Sequence, residues 1–588
     1  MASPLYVGID LGTTNTALGA VALDDATATP EAFALPQVVA VNEVQARPLL
    51  PSFVYLPAAA ELPAGAVAVP WDSARDFAVG SFAKDRAALV PGRVIASAKS
   101  WLSHAGVDRR AALLPFGASA DSDVPRMSPV DVQARLLSHV REAWDAAHPT
   151  AKLADQHVVL TVPASFDAVA KSLTEEAAAQ AGLKNVVLLE EPQAALYAWI
   201  ARHDDKSTSP WRKQVGPGDV ILVVDIGGGT TDFSLIAVND DGAGQLELER
   251  VAVGEHILLG GDNMDLALAY GVQQRLEADG RSVDDWQLRA LTHSSRAAKE
   301  QLLEDAALSE ATVVIPGRGS KLVGGSIKST LTREQLTATV VDGFFPVVGV
   351  DDRPQQPRRA GLQTLGLPWA QDAGVTRHLA AFLAGRKPTA LLFNGGVTRS
   401  PVLRARLLEV LTSWLGSTPR VLSGADLDLA VANGAASYAR VRHSKSGLRI
   451  KGGTARAYYV GIEKSELAVP GFPARIDAVC IAPKGMEEGS EAALGSALGL
   501  VVGEPATFRF FSSVARDNDV AGAVVDVARA KNELVELAPI ETTLPGSIGA
   551  LVPVTLRSRV TETGTLELFA QEATTKTAHK LEFQIRGD

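Results

Sequence analysis

GIDLGTTNTALG at residues 8–19 and DIGGGTTDFSL at residues 225–235 carry the same pattern at two places in the chain. In each, an apolar run ends in an aspartate, Asp10 or Asp225. A glycine-bearing turn with threonines follows, and the chain then becomes apolar again. One such turn alone reads either as a loose hairpin tip or as a cradle of backbone N–H groups for phosphate, with the acid placed to hold a metal ion. The repetition favours the cradle. Gly12, Thr13, Thr14 and Asn15 would form one, and Gly227, Gly228, Gly229, Thr230 and Thr231 the other, with Asp10 and Asp225 holding magnesium directly or through its waters. Neither turn has the GxxxxGK[ST] spacing or the glycine spacing of a dinucleotide fingerprint.

Working outward, residues 5–11 and 17–23 read as strands around the first turn, and PSFVYL at 51–56 as another. VIASAKSWL at 94–102 reads as a short helix, 104–128 as a loop, and the segment from Ser128-Pro129 as a surface helix. HVVLTVPA, a helix ending at Gly182, NVVLLEE and PQAALYAWI then alternate strand and helix. The second turn follows a polar stretch, and strand–turn–helix at 389–411 and a small-residue helix at 427–440 come after it. The expectation is two similar α/β lobes. Beyond about residue 455 short alternating strands such as VPVTLRSRV and GTLELFAQ predict an all-β sandwich. The expected units are 1–440, a linker at 441–455, and 456–588.

At 588 residues the chain needs several cores. Hydrophobic residues at 46% against 21% charged make it globular, and a net charge of -11 argues against a nucleic-acid surface. Cys480, the only cysteine, excludes a disulfide framework, and the ten histidines show no HExxH. With no signal-like N-terminus and no membrane-length apolar run, a cytoplasmic protein without membrane partners is expected.

Two further places could carry chemistry. Glu190-Glu191-Pro192 reads as a helix entrance, or as a strand-end carboxylate that orients water toward a γ-phosphate. Lys99 either faces phosphate, opposing the charge that develops there, or snorkels from its apolar segment.

In order along the chain, GIDLGTTNTA, VGSFAKDRA, HVVLTVPASFD, LLEEPQAALYAW, VVDIGGGTTDFSL, LLGGDNMDLALA, FNGGVTRSPVL and DLDLAVANGAA resemble the motifs of the DnaK-like heat-shock protein 70 chaperones, within the actin-like ATPases. The resemblance implies a two-lobed, ribonuclease H-like ATPase domain followed by a β-rich peptide- or partner-binding domain, with ATP or ADP and Mg2+ between the lobes. It implies Asp10, Asp225 and Asp232 as the metal set and Thr13 and Thr14 as phosphate contacts. Lys99, Glu191, Asp225 and Thr230 would be the catalytic group. Gly395, Gly396 and Arg399 match the adenosine-side turn, with the arginine near the base, and Lys299 matches a nucleoside-pocket lysine. Arg296 stands where the family has glutamate, and Leu303 where serine is common, so weaker base discrimination is expected. The linker SKSGLRIKGGTARAYY is basic and nearly without leucine, so it is expected to dock the domains poorly. The resemblance offers no counterpart of the helical lid, and fast release of bound peptide is expected. The implied partners are unfolded or extended protein clients, with a co-chaperone or nucleotide-exchange partner. The alternatives are a nucleotide-dependent scaffold without client cycling and, less favoured by the motif order and β domain, a small-molecule kinase.

Overall fold

The computed structural model describes residues 5–583 apart from 24–27, 60, 105, 117–122, 204–209, 241–245, 316, 318–325, 356–366, 425, 445–447, 452, 455, 465–474, 488, 496 and 562–565. Residues 356–366, within the proline-rich stretch at 346–372, and residues 445–447 of the linker therefore lie outside the described residues.

The two quoted turns sit at the same place in two sheets of the same design. In lobe I the sheet runs Val187–Glu190, His157–Val162, Leu5–Leu11, Asn15–Ala22 and Glu31–Ala32. Leu5–Leu11 pairs antiparallel with Asn15–Ala22 across the turn and parallel with His157–Val162 on its other side. Lobe II repeats this order with Arg420–Val421, Ala390–Asn394, Val220–Ile226, Thr231–Asp240 and Leu246–Val253. Its register places Asp225 opposite Asp232 on one neighbour and opposite Asn394 on the other. The central strands are covered on both faces, which is why VILVVDI reads as a continuous apolar run and not as an alternation.

Two helices, Glu191–Arg202 and Ala430–Ser444, join the lobes beneath the cleft. Tyr6, Val223, Leu392 and Ala435 share one core there, drawn from both lobes. The small-residue sequence of the second helix follows from how closely it approaches its neighbours. A β-carbon on Gly434 would lie 1.7 Å from Ala194 O, and one on Gly8 2.1 Å from Ala432 O. Larger residues would push the lobes apart.

The segment VIASAKSWL differs from expectation. Val94–Ile95 is a short strand, and Ala98–Ser103 is a 3-10 turn entered through Ser97 at φ 53°. The left-handed residue breaks what composition reads as one helix and turns Lys99 inward. Lys99 is 3% exposed, so it does not snorkel.

From Ala457 onward the chain forms antiparallel strands around Tyr458, Val460, Phe510, Ile540 and Leu568. Ala550–Val560 buries Val554, Leu556, Ser558 and Val560 in alternation, as the sequence pattern requires. Cys480 is a buried strand residue. This β-rich region rests on lobe I: Ala168 packs in its core, and Arg456 Nη2 donates to Ser165 O at 2.9 Å.

The expectation of a poorly docking linker is corrected. Ile450–Lys451 adds a parallel strand to the free edge of lobe II, beside Leu248 and Glu249. Ile450 is buried, its N–H donates to Tyr197 Oη at 2.8 Å, and Leu448 packs on the inter-lobe core. Strand addition uses main-chain hydrogen bonds, so it needs few leucines.

Candidate functional site between the lobes

The cleft above the two joining helices has a volume of about 880 Å³. Asp10, Gly12, Thr13, Thr14, Asn15, Lys99, Glu191, Asp225, Gly227, Gly228, Thr230, Lys299, Gly395, Gly396 and Arg399 all line it. Three of the sequence candidates do not. Gly229 packs instead beneath Ser100 and Thr13, where a β-carbon would lie 2.7 Å from Ser100 Oγ. Thr231 is fully buried, with its hydroxyl donating to Leu259 O at 2.7 Å and its N–H to Ile257 O at 3.0 Å. It anchors the turn from behind, which corrects its reading as a phosphate contact. Asp232 lies behind the cleft wall, buried beside Asp225.

The glycines keep the two cradles close. Gly395 holds φ 83°, and a β-carbon there would lie 2.6 Å from Asp225 Oδ1. Only glycine suits both that conformation and that approach.

At the cleft floor Lys99 Nζ donates to Glu191 Oε1 at 2.5 Å, bringing together residues 92 positions apart. Glu191 is the first residue of its helix and Pro192 the second, so the Glu-Glu-Pro stretch is a helix entrance, and Glu191 also lines the cleft. The helix entrance itself aims the carboxylate into the cleft.

The acids crowd one another. Burial, then the Glu191 charge, push Asp10 up to about 7, with Lys99 and the Thr161 hydroxyl pulling the other way. Asp225 is raised by burial, Glu191, Asp232 and Asp10, opposed by Asn394 Nδ2, which donates to its Oδ2 at 2.7 Å. Burial also raises Asp232 to about 7, against hydrogen bonds from Ser165 and Thr230. Asp232 Oδ1 is buried and has no partner among the described residues. Hard oxygen donors under mutual repulsion, one of them orphaned, suit a divalent cation such as Mg2+. Among the described residues, however, no three acidic, histidine or cysteine side chains converge to enclose a bare ion.

On the nucleoside side the structure changes the reading of Arg296. Its Nε donates to Asp265 Oδ2 at 2.6 Å and its Nη2 to Asp262. The two carboxylates raise its pKa further despite burial, and occupy the guanidinium. Lys299 Nζ lies 2.7 Å from Asp265 Oδ1, so Asp265 joins both cations. Arg399 is half-exposed at the rim, paired with Asp428 at 2.9 Å and Glu304 at 3.4 Å. Asp262 also accepts from Ser97 Oγ of lobe I at 2.5 Å, a cross-cleft contact that no motif predicted.

Below the floor lies a junction that sequence reasoning missed. Glu190, buried at the end of its strand, pairs with Arg250 of lobe II and, at 3.5 Å, with Lys171. Arg250 and Lys171 hold its carboxyl below the usual range despite burial. Arg250 also donates to Gly453 O, at the junction of linker and β-rich region. A basic residue following the alternating LELE was the only available signal, and it does not name a partner.

A two-lobed actin-like ATPase domain with a β-rich C-terminal region is the class that this fold and cleft define. The Hsp70 protein family model matches residues 66–347. Chaperone protein HscA homologs are similar over most of the chain. That of Shewanella baltica (strain OS195) is 29% identical over 447 residues, covering 74% of this chain and 58% of the relative. That of Burkholderia pseudomallei (strain 668) is 32% identical over 452 residues, covering 74% and 57%. That of Acidithiobacillus ferrooxidans (strain ATCC 53993 / BNL-5-31) is 30% identical over 356 residues, covering 59% and 48%. The chain belongs to the Hsp70 family, whose members are ATPases. It spans about half the length of the curated relatives it matches. Among the described residues no helix is long and apolar enough to cross a membrane.

Proposed function

We propose that the protein binds ATP with Mg2+ between its lobes and hydrolyses it slowly to ADP and phosphate. The observation that carries this is the Lys99–Glu191 pair at the cleft floor, set between two backbone cradles. Gly12–Thr14 and Gly227–Thr230 supply donors to the phosphate oxygens. Lys99 opposes negative charge as it builds on the transferred group, and Glu191 accepts a hydrogen bond from the water that attacks it. Mg2+ supplies charge neutralisation at the phosphates, and Asp10, Asp225 and Asp232 would hold it, chiefly through its waters.

The β-rich region is proposed to hold extended protein segments transiently, with residues 1–440, 441–455 and 456–588 acting as ATPase domain, linker and binding domain. The docked linker strand and the Arg250 junction support communication between nucleotide and β-rich region, where the linker's composition alone argued against it. A ligand shifts this balance only if it binds docked and undocked forms unequally. Release rates of a fluorescent unfolded peptide in ATP and in ADP test this. A several-fold difference is expected, and equal rates in both would refute nucleotide control.

A further inference from the structure

The loop after Leu246–Val253 carries one residue for which the phosphate chemistry has no use. His256 belongs to lobe II, yet its ring is wedged into lobe I. Its Nδ1 lies 2.6 Å from Ser165 Oγ and its Nε2 2.9 Å from Ser103 Oγ, and its ring meets Phe166 edge-on at 5.7 Å. Both serines sit beside the proposed hydrolytic group. Ser103 closes the 3-10 turn that holds Lys99. The Ser165 carbonyl accepts from Arg456 of the β-rich region at 2.9 Å.

Burial and the nearby Arg456 and Lys99 charges keep the ring neutral, its pKa pushed down to about 3. A neutral imidazole has one N–H and one acceptor nitrogen, and each serine has one hydroxyl proton. Ser103 Oγ donates its proton to Ser100 O at 3.1 Å, so the ring must donate from Nε2 to Ser103 and accept at Nδ1 from Ser165. The tautomer and the two hydroxyl rotors are therefore set together.

We propose that His256 is a positioning residue: by bridging Ser103 and Ser165 it carries closure of lobe II to the Lys99 turn and to the segment around Ser165, and through Ser165 and Arg456 it shares that hold with the β-rich region. This rests on the hydrolysis proposed above. No proton is transferred; the bridge fixes where Lys99 points.

The test uses the full chain and four variants, His256→Phe, His256→Gln, Ser165→Ala and the double His256→Phe/Ser165→Ala. Phenylalanine keeps the ring packing and removes both hydrogen bonds; glutamine restores one. ATP affinity, single-turnover hydrolysis, and hydrogen exchange of residues 98–103 and 163–167 with and without ATP are measured. His256→Phe should lower the single-turnover rate about tenfold or more, as a misplaced group does, with affinity changed less than about threefold. Exchange should rise in both segments. Glutamine should recover part of the rate, and the double variant should be no slower than the slower single, since bridge members act as a unit. Unchanged rate and exchange would overturn the proposal, as would losses of rate, affinity and melting temperature in parallel. If the wild-type protein binds ATP without turnover, the hydrolysis reading falls and exchange alone decides: a rise in both segments upholds the bridge, and no rise overturns it.

Discussion

Thr14 and Gly228 meet across the cleft so closely that a β-carbon on Gly228 would lie 1.9 Å from Thr14 Oγ1. One phosphate turn therefore closes directly against the other, and the cleft walls are set by backbone on one side and a hydroxyl on the other. Gly228→Ala should hold the lobes apart unless Thr14 rotates away. Loss of ATP affinity by about tenfold or more is expected, about 1.4 kcal/mol or above, with Thr14→Ala partly restoring it in the double variant. Isothermal titration of both variants checks this, and unchanged affinity for Gly228→Ala would show that the turns do not close on the nucleotide.

Base discrimination should be weak. Arg296 spends its donors on Asp262 and Asp265, and Leu303 lines the same pocket with an apolar side chain. Discrimination of many orders of magnitude arises when buried polar groups are left unpaired by the wrong ligand, and here those groups already satisfy one another. Competition between ATP and GTP should give affinities within about tenfold, whereas a hundredfold preference for ATP would place base recognition on other residues.

Arg250→Ala removes the main counter-charge of buried Glu190 and the donor to Gly453 O. Breaking one side of a buried pair costs about 3–5 kcal/mol, and Lys171 remains nearby at 3.5 Å, so the lower end is expected. Chemical denaturation measures the loss. Limited proteolysis should also cut the linker near residues 445–455 faster in the variant. A stable variant with an equally protected linker would mean the junction holds nothing together.

Buried His139 should cost the protein stability as pH falls from 7 to 5. His139 accepts from Arg75 Nη1 and lies 2.9 Å from Pro36 O; burial and the arginine push its pKa down to about 3. A histidine depressed by folding contributes stability that is present above its unfolded value near 6.5 and lost as pH falls toward 3. Asp10, raised to about 7, works in the opposite sense between pH 4 and 7. The two are separated by comparing wild type with His139→Gln: between pH 7 and 5 the wild type should lose on the order of 2 kcal/mol more than the variant from this group. Identical pH slopes in the two proteins would contradict the neutral, buried state of His139.

The duplicated strand–aspartate–glycine turn was legible because it is local: Asp10 and Asp225 are each the last but one residue of their strands, and the small-residue helix announces a close approach. The boundary between Thr230 and Thr231 was not legible. The strand begins at Thr231 and turns its side chain into the core while Thr230 stays at the cleft, a one-residue register that composition does not fix. Lys99 and Glu191 were each ambiguous alone, and only the folded chain brings them together. The partners of Arg296, Arg250 and His256 are likewise long-range, and a single charged residue in a sequence does not state which element it will meet. The linker was misjudged because its docking is carried by backbone pairing and one isoleucine.

The central claim is that Glu191, held by Lys99, acts on the hydrolytic water and not on nucleotide retention. Single-turnover hydrolysis of bound ATP by Glu191→Ala, measured beside ATP affinity on the same preparation, tests it most directly. The rate should fall by roughly a hundredfold or more while affinity stays within about threefold. A folded Glu191→Ala protein that hydrolyses ATP at the wild-type rate would contradict the account.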